Sequence, residues 1–255
     1  MFDTIPTFLL DISTFLIFLL FFELGYLIGK KRRSESMKKS DVVISPATAS
    51  ILGLFAFMIA FTFSLTAQKL DTRKQNVLIE ANAIATAHLR ADLLQNPYRS
   101  RIKELLREYT DVRVKIASAT GDEEAEYLAR SLEIQDLLWD EAVADSREAN
   151  DAGIKLVIAS LNEVFDMHSN RVAASIYNRI GWNIWLMLFV VGVLGILMSG
   201  IQNGVNGPKR YIAVIPLILA FAVVLALIED MDNPNRGIFK VGQQPLIDVK
   251  KSISK

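Results

Sequence analysis

Arg73, Asn76, Glu80, Asn82 and Arg90 form a polar series directly after a long apolar run. Arg73 and Glu80 are seven positions apart, which sets them on one face of a helix. Such residues can close a satisfied hydrogen-bond network between packed helices, or Arg73 and Arg90 can supply the field of a vestibule that attracts anions. Glu23 sits inside another apolar run, where a carboxylate must be protonated, hydrated or paired, with Lys30 and Arg33 within reach of a snorkelling partnership. His88 and His168 are the two histidines, and Glu163 or Asp166 could join them at a zinc ion. The close-spaced ligands of a metal motif are missing, so no metal site is expected. Glu229, Asp230 and Asp232, ahead of Asn233 and Pro234, offer oxygen ligands to a divalent cation or, more simply, an acidic turn that ends a helix.

The chain lacks a glycine-rich phosphate loop and a nucleophile elbow, and it has no cysteine to serve as a disulfide partner, thiolate ligand or nucleophile. Hence no catalytic residues and no cofactor are expected, and the chain is not read as an enzyme. Formal net charge is zero over 255 residues, without a global basic patch that would serve nucleic acid. A mean hydropathy of +0.30 is too apolar for an ordinary soluble protein, while 22% charged residues are too many for a wholly embedded bundle.

The two facts are reconciled by segregation. Residues 8–29, 46–67, 182–199 and 211–228 are apolar runs, each near the roughly 20 residues that a helix needs to cross about 30 Å of hydrocarbon. The intervening stretch 68–180 is dense in charge. The lipid bilayer is therefore the first partner, and the expected fold is an all-α integral membrane protein, four transmembrane helices with a helical bundle inserted between spans two and three. The expected organisation is a hairpin over 1–67, the bundle over 68–180, a second hairpin over 181–228 and a tail over 229–255.

Residues 1–11 carry two aspartates and no Lys or Arg, unlike a cleaved signal peptide. Lys30, Lys31, Arg32, Arg33, Lys38 and Lys39 face only Glu35 and Asp41 in the first short loop, and Lys209 and Arg210 stand without an acid in the second. By the positive-inside tendency both short loops are cytoplasmic, which places the N-terminus, the bundle and the C-terminus outside the cytoplasm.

Neither Gly nor Pro occurs between Gly53 and Pro97, so the second span is expected to run on as one helix to about Gln95, roughly 75 Å at 1.5 Å per residue. Ser45 before Pro46, and Asn96 before Pro97, read as N-caps. Further helices are expected over about 97–118 and 122–150, the latter with Asp122, Glu123, Glu124 and Glu126 in its first turns. The last bundle helix starts near Asp151 with an apolar stripe through Ile154, Val157, Ile158, Leu161, Val164 and Phe165 and is expected to continue into span three. No alternation argues for strands.

Gly25 with Gly29, Ala56 with Ala60, and Gly195 with Ser199 are small-xxx-small pairs that let helices approach closely. Trp182, Trp185 and Tyr211 open spans three and four as interfacial anchors. Span two carries Phe55, Phe57, Phe61 and Phe63. Phe57 and Phe61 share a face, and copies arranged around an axis could build an apolar constriction from them, although packing against lipid or core is the simpler fate.

The span that leads into Arg73 and then Glu80, Ala81, Asn82, Ala83 and Ile84, together with the segment Asp230, Asp232, Pro234, Gly237, Gln244, Pro245 and Leu246, resembles the bestrophin-like domain family of bacterial membrane proteins. The resemblance covers nearly the whole chain and implies a bacterial inner-membrane location. It also implies a distant relation to true bestrophins, pentameric anion channels with an apolar neck on the second membrane helix. Phe57 and Phe61 fall at neck-like positions. Gly53 stands one turn earlier where another apolar side chain is expected, and residues 68–79 lack the aromatics of the true bestrophin pattern. True bestrophins keep the domain beyond span two in the cytoplasm, opposite to the charge reading. The functional expectation is a homo-oligomeric anion channel with span two lining the pore and inorganic anions as cargo. The alternative is a non-conducting membrane scaffold or sensor whose bundle binds a partner or ligand.

Overall fold

The computed structural model describes residues 7–35, 45–148, 151–176, 179–207, 211–233 and 238–254. Lys38, Lys39, Asp41, Asn150, Lys209, Arg210, Pro234 and Gly237, on which parts of the sequence reading rest, lie outside the described residues. All regular structure among the described residues is helical: α1 (Thr7–Glu35), α2 (Ser45–Arg90), a 3-10 turn (Ala91–Leu93), α3 (Tyr98–Ile116), α4 (Asp122–Glu148), α5 (Ala152–Ile176), α6 (Trp182–Asn206), α7 (Tyr211–Asp232) and α8 (Gln244–Ile253). Four helices are long and apolar enough to cross a membrane, over Ile12–Arg33, Pro46–Leu93, Trp182–Asn206 and Tyr211–Asp232. The second of these, at 48 residues, is more than twice the length a bilayer requires.

The chain divides into two compact units, Met1–Leu70 with Arg179–Lys240, and Asp71–Asn178 with Val241–Lys255. In the first unit, α1 and α6 meet backbone to backbone. A Cβ on Gly25 would lie 2.2 Å from the carbonyl oxygen of Leu197, and one on Gly200 would lie 2.3 Å from that of Phe22. Gly29 faces Ile201 and Gly204 faces Tyr26 in the same way, so two glycine pairs spaced by four form both sides of the seam. The pair Gly200 and Gly204 is absent from the sequence reading, which singled out Gly195 and Ser199 on that helix.

Beside the seam, the ring ends of Phe18 and Phe55 occupy the space a side chain at Gly192 would need. The two rings stand edge to face at 6.2 Å, and Phe55 lies 4.8 Å from Phe221. Phe18, Phe22, Phe55, Leu188, Ile196 and Ile218 form the core of this unit.

The second unit is built from amphipathic helices whose buried positions recur every three or four residues. Ile102, Leu106 and Tyr109 on α3, Ile134, Leu138 and Ala142 on α4, and Ile154, Val157, Leu161 and Val164 on α5 are all withdrawn from solvent, and Ile84 on α2 joins them. Asp122, Glu123 and Glu124 occupy the first turn of α4, where the helix dipole favours them.

Three local expectations are corrected. α5 does not continue into α6: Gly181 adopts extended backbone (φ −62°, ψ 141°) and starts a separate helix. The break is tolerated because the carboxylate of Asp232 accepts the otherwise orphaned N–H of Ile180 at 2.9 Å. Asn96 does not cap α3, since Pro97 in helical conformation takes the cap position and the Asn96 side chain accepts the Ser100 hydroxyl instead. The C-terminal residues are not merely a tail: α8 is a helix whose Leu246 and Ile253, seven apart, belong to the core of the second unit. Lys250 pairs with Asp111 at 3.0 Å, and Arg107 Nε donates to the Ile253 carbonyl at 2.6 Å.

Candidate functional site

Polar side chains stand in the buried stripes of three helices of the second unit. Glu80 on α2, Arg113 on α3 and His168 on α5 occupy positions where the periodicity places apolar residues, and Tyr109 precedes Arg113 by one turn. Glu80 is fully buried and Arg113 is 2% exposed. Arg113 Nε donates to Glu80 Oε1 at 2.7 Å, the Tyr109 hydroxyl donates to the same oxygen at 3.2 Å, and Arg171 NH1 donates to Oε2. The Tyr109 hydroxyl also lies 3.3 Å from His168 Nδ1, and Gln135 Nε2 donates to it at 3.4 Å. Arg171 NH2 donates in turn to Gln243 Oε1 at 3.1 Å, just ahead of α8.

The electrostatics follow from this placement. Burial pushes the Glu80 pKa up, but the charges and hydrogen bonds of Arg113 and Arg171 outweigh it and hold the carboxylate below its ordinary value. Burial, followed by the like charge of Arg113, pushes His168 down to about 4, so its imidazole is neutral near pH 7. Burial and the neighbouring Glu80 charge raise the Tyr109 phenol. Two guanidinium groups therefore share one carboxylate, with a tyrosine and a histidine that carry no charge.

Other residues singled out from sequence take separate places. Arg73 is buried, and its Nε donates to the Ala174 carbonyl at 3.2 Å. Arg90 NH1 reaches the Leu156 carbonyl at 3.3 Å, while Asn82 is exposed. The two histidines are not joined: His168 sits on Tyr109, whereas His88 lies eight residues beyond Glu80 on α2, where burial and the charges of Lys103 and Arg107 lower its pKa. Glu163 and Asp166 are exposed. Among the described residues no three His, Asp or Glu side chains are grouped to hold a metal ion.

In the first unit, Glu23 Oε1 accepts the Tyr211 hydroxyl at 2.6 Å, which supplies a partner for an acid in an apolar helix. Asp230 accepts the backbone N–H groups of Ile238 and Phe239 at 2.8 and 3.0 Å, and Asp232 that of Ile180, so both carboxylates satisfy chain turns. Tyr109, Arg113, Arg171, Gln135 and Gln243 are absent from the sequence reading of the network. The available signal was an Arg in register with Ile102, Leu106 and Tyr109 on the apolar stripe of α3.

The open face of α2 is the other distinctive surface. Phe57 and Phe61 are 68% and 59% exposed, with Leu54 alongside, whereas Phe55 on the opposite face is fully buried. No atom lies within 4 Å of the position a Cβ would take at Gly53. The exposed register continues at intervals of three and four through Ser64, Gln68, Asp71, Gln75, Leu78, Asn82 and, after half-buried Ala85, Leu89. This exposed register is the complement of the buried stripe through Phe55, Ile59, Thr62, Thr66 and Leu70.

The Bestrophin-like domain model matches residues 15–246, nearly the whole chain. The chain belongs to the Bestrophin-like family. This bestrophin-like chain is also similar to a bacterial Bestrophin homologue from Klebsiella pneumoniae bearing an isoleucine-to-threonine mutation, with 14% identity and a TM-score of 0.68 over 94% of this chain and 97% of that one. A homologue from the same organism with an aspartate-to-alanine mutation gives 12% identity and 0.61 over 95% and 97%. A membrane protein with a proline-to-alanine mutation gives 14% and 0.63 over the same shares. These likenesses establish the fold. A search of the curated proteins finds no significant match.

Proposed function

We propose that the chain is a homo-oligomeric anion channel of the bacterial inner membrane, with α2 of each copy lining a central pore and Phe57 and Phe61 forming its apolar constriction. The observation that carries this reading is the open face of α2: large aromatic side chains project from a helix whose opposite stripe, through Phe55, Ile59, Thr62 and Thr66, is buried. Symmetric copies around an axis would bring that face together as a shared constriction. Polar Ser64, Gln68 and Gln75 beyond the phenylalanines would wet the wider part of such a pore. Family membership supports the channel class, and four spans with the bundle inserted between spans two and three is the arrangement we assign to the copies. Loop charge favours the N-terminus, the bundle and the C-terminus outside the cytoplasm.

Chloride flux from liposomes containing the purified chain tests the reading, with empty vesicles and Phe61→Ala as comparisons and protease protection fixing the orientation. Protein-dependent flux that changes with the substitution is the expected result. Folded, inserted protein that passes none of several ions overturns the channel and leaves the scaffold or sensor alternative.

A further inference from the structure

In the first unit, α1 has two faces. Phe18, Phe22, Gly25, Tyr26 and Gly29 are turned inward, the glycines against α6. On the opposite side Ile12, Leu16, Leu20, Leu24 and Leu27 recur at intervals of three and four, and all are exposed. This apolar lane ends in Lys31, four positions after Leu27, with Lys30 and Arg32 to either side of it. The lane and its basic end sit at matched depths, because α1 and α6 run in the same direction: Gly25 meets Leu197, and Gly29 meets Ile201 and Gly204. A Cβ on Gly207, just past the end of α6, would lie 3.6 Å from Arg33 NH1. The two helices therefore finish at one level, where apolar spans give way to lipid headgroups.

Lys30, Lys31, Arg32 and Arg33 are all exposed, and among the described residues none of them enters an ion pair or a side-chain hydrogen bond. Glu35, the last residue of α1, offsets one of the four charges, and the carbonyl end of the helix adds only about half a negative charge. Glu23, two turns into the span, is engaged by the Tyr211 hydroxyl. A second copy of the chain does not supply the missing counter-charge. Copies related by an axis along the membrane normal present the same residues at the same depth, and there α6 contains no acid and the first turns of α2 and α7 have none. A phospholipid does supply it, with acyl chain and anionic headgroup stacked in the same order as the lane and its basic end.

We propose that this face of α1 seats an anionic phospholipid, its acyl chain laid along Leu20, Leu24 and Leu27 and its phosphate held by Lys31 with Lys30 and Arg32. Each Lys or Arg near an anionic lipid surface favours binding about fivefold. A choline headgroup gains far less, because it brings a cation of its own to the same bases. The seat stands on the first unit alone, and it depends neither on conduction nor on which leaflet the basic end faces.

The test uses the full-length chain. Purified in detergent and offered equal amounts of phosphatidylglycerol and phosphatidylcholine with identical acyl chains, it is expected to retain the anionic lipid about tenfold more strongly in native mass spectrometry. Lys30→Gln, Lys31→Gln and Arg32→Gln combined bring the two lipids close to parity. The same change at Lys115, Arg147 and Lys155, three exposed bases of the second unit, keeps the preference. A second measurement leaves every charge in place: fluorescence of Leu24→Trp is read against the unaltered chain in phosphatidylcholine vesicles. It is quenched more by a small fraction of phosphatidylglycerol brominated on its acyl chains than by the same fraction of brominated phosphatidylcholine. Equal retention of the two lipids, a preference that survives the combined change at Lys30, Lys31 and Arg32, or equal quenching overturns the proposal.

Discussion

Glu80 and Arg113, 33 positions apart in the chain, meet in the interior of the helical unit with Arg113 Nε 2.7 Å from Glu80 Oε1. An ion pair so deep adds little net stability as a pair, but removing one member is costly because the other stays buried and uncompensated. Glu80→Gln is expected to lose about 3–5 kcal/mol in denaturant unfolding monitored by tryptophan fluorescence. Combining it with Arg113→Met should cost less than the sum of the single changes. Strict additivity of the two would show that the pair is not coupled.

Acid should destabilise this unit in two stages. His168 has a folded pKa of about 4 against 6.5 unfolded, so the unfolded chain binds a proton that the folded chain refuses, and stability falls as pH drops across that window. Glu80 is held below its ordinary 4.5, so its contribution is present above that value and is lost as pH falls through the folded pKa. His168→Gln is expected to flatten melting temperature between about pH 6.5 and 4.5 and leave the steeper acid limb. A pH series of melting curves measures both.

The α1–α6 seam leaves no room for a methyl group. Gly200→Ala, whose Cβ would meet the Phe22 carbonyl at 2.3 Å, is expected to cost about 1–3 kcal/mol, seen as a lower melting temperature in detergent. Gly53→Ala enters open space on a helix and should be neutral or stabilising by about 0.5 kcal/mol in a dissociated protomer. Equal losses at both positions would contradict the seam.

Phe55 and Phe57 are two residues apart with opposite fates. Phe55→Ala empties part of a packed core and should cost about 3–5 kcal/mol. Phe57→Ala removes a ring that its own chain does not cover and should stay within about 0.5 kcal/mol for the protomer in detergent. The same Phe57 change is expected to alter ion flux in the assembled protein.

Asp232 is the acceptor for the N–H of Ile180, at the break between α5 and α6. Asp232→Ala leaves that donor unmet, with an expected loss of about 1–3 kcal/mol. Amide hydrogen exchange at Ile180 should become faster in the variant, with little change in the helix interiors. Unaltered exchange would mean that another group serves the amide.

Much of the architecture follows from the sequence because its causes are local. The four apolar runs announce four candidate spans by length alone, and the absence of Gly and Pro after Gly53 predicts a second helix that runs far past the bilayer. The Arg73 to Ile84 and Asp230 to Leu246 patterns lead to the family whose model matches residues 15–246. Periodicity places Ile154, Val157 and Leu161 inside, because a 3.6-residue repeat states which face is apolar without reference to anything across from it.

What the tertiary structure decided are the partnerships between distant residues. Sequence put Arg73 and Glu80 on one face of a helix, but nothing local says that the acid meets Arg113 and Arg171. Gly25 and Gly29 signal close approach, yet a small residue does not name its neighbour, and only packing joins them to α6. Asp232 reads as part of an acidic turn until Ile180, 52 positions earlier, arrives beside it and allows α5 and α6 to separate. The apolar pair Leu246 and Ile253 gives α8 a face, and the core of the second unit gives that face a place. Spacing fixes which side chains share a surface, while a hydrogen bond or a steric fit needs two surfaces whose meeting depends on the fold of the whole chain.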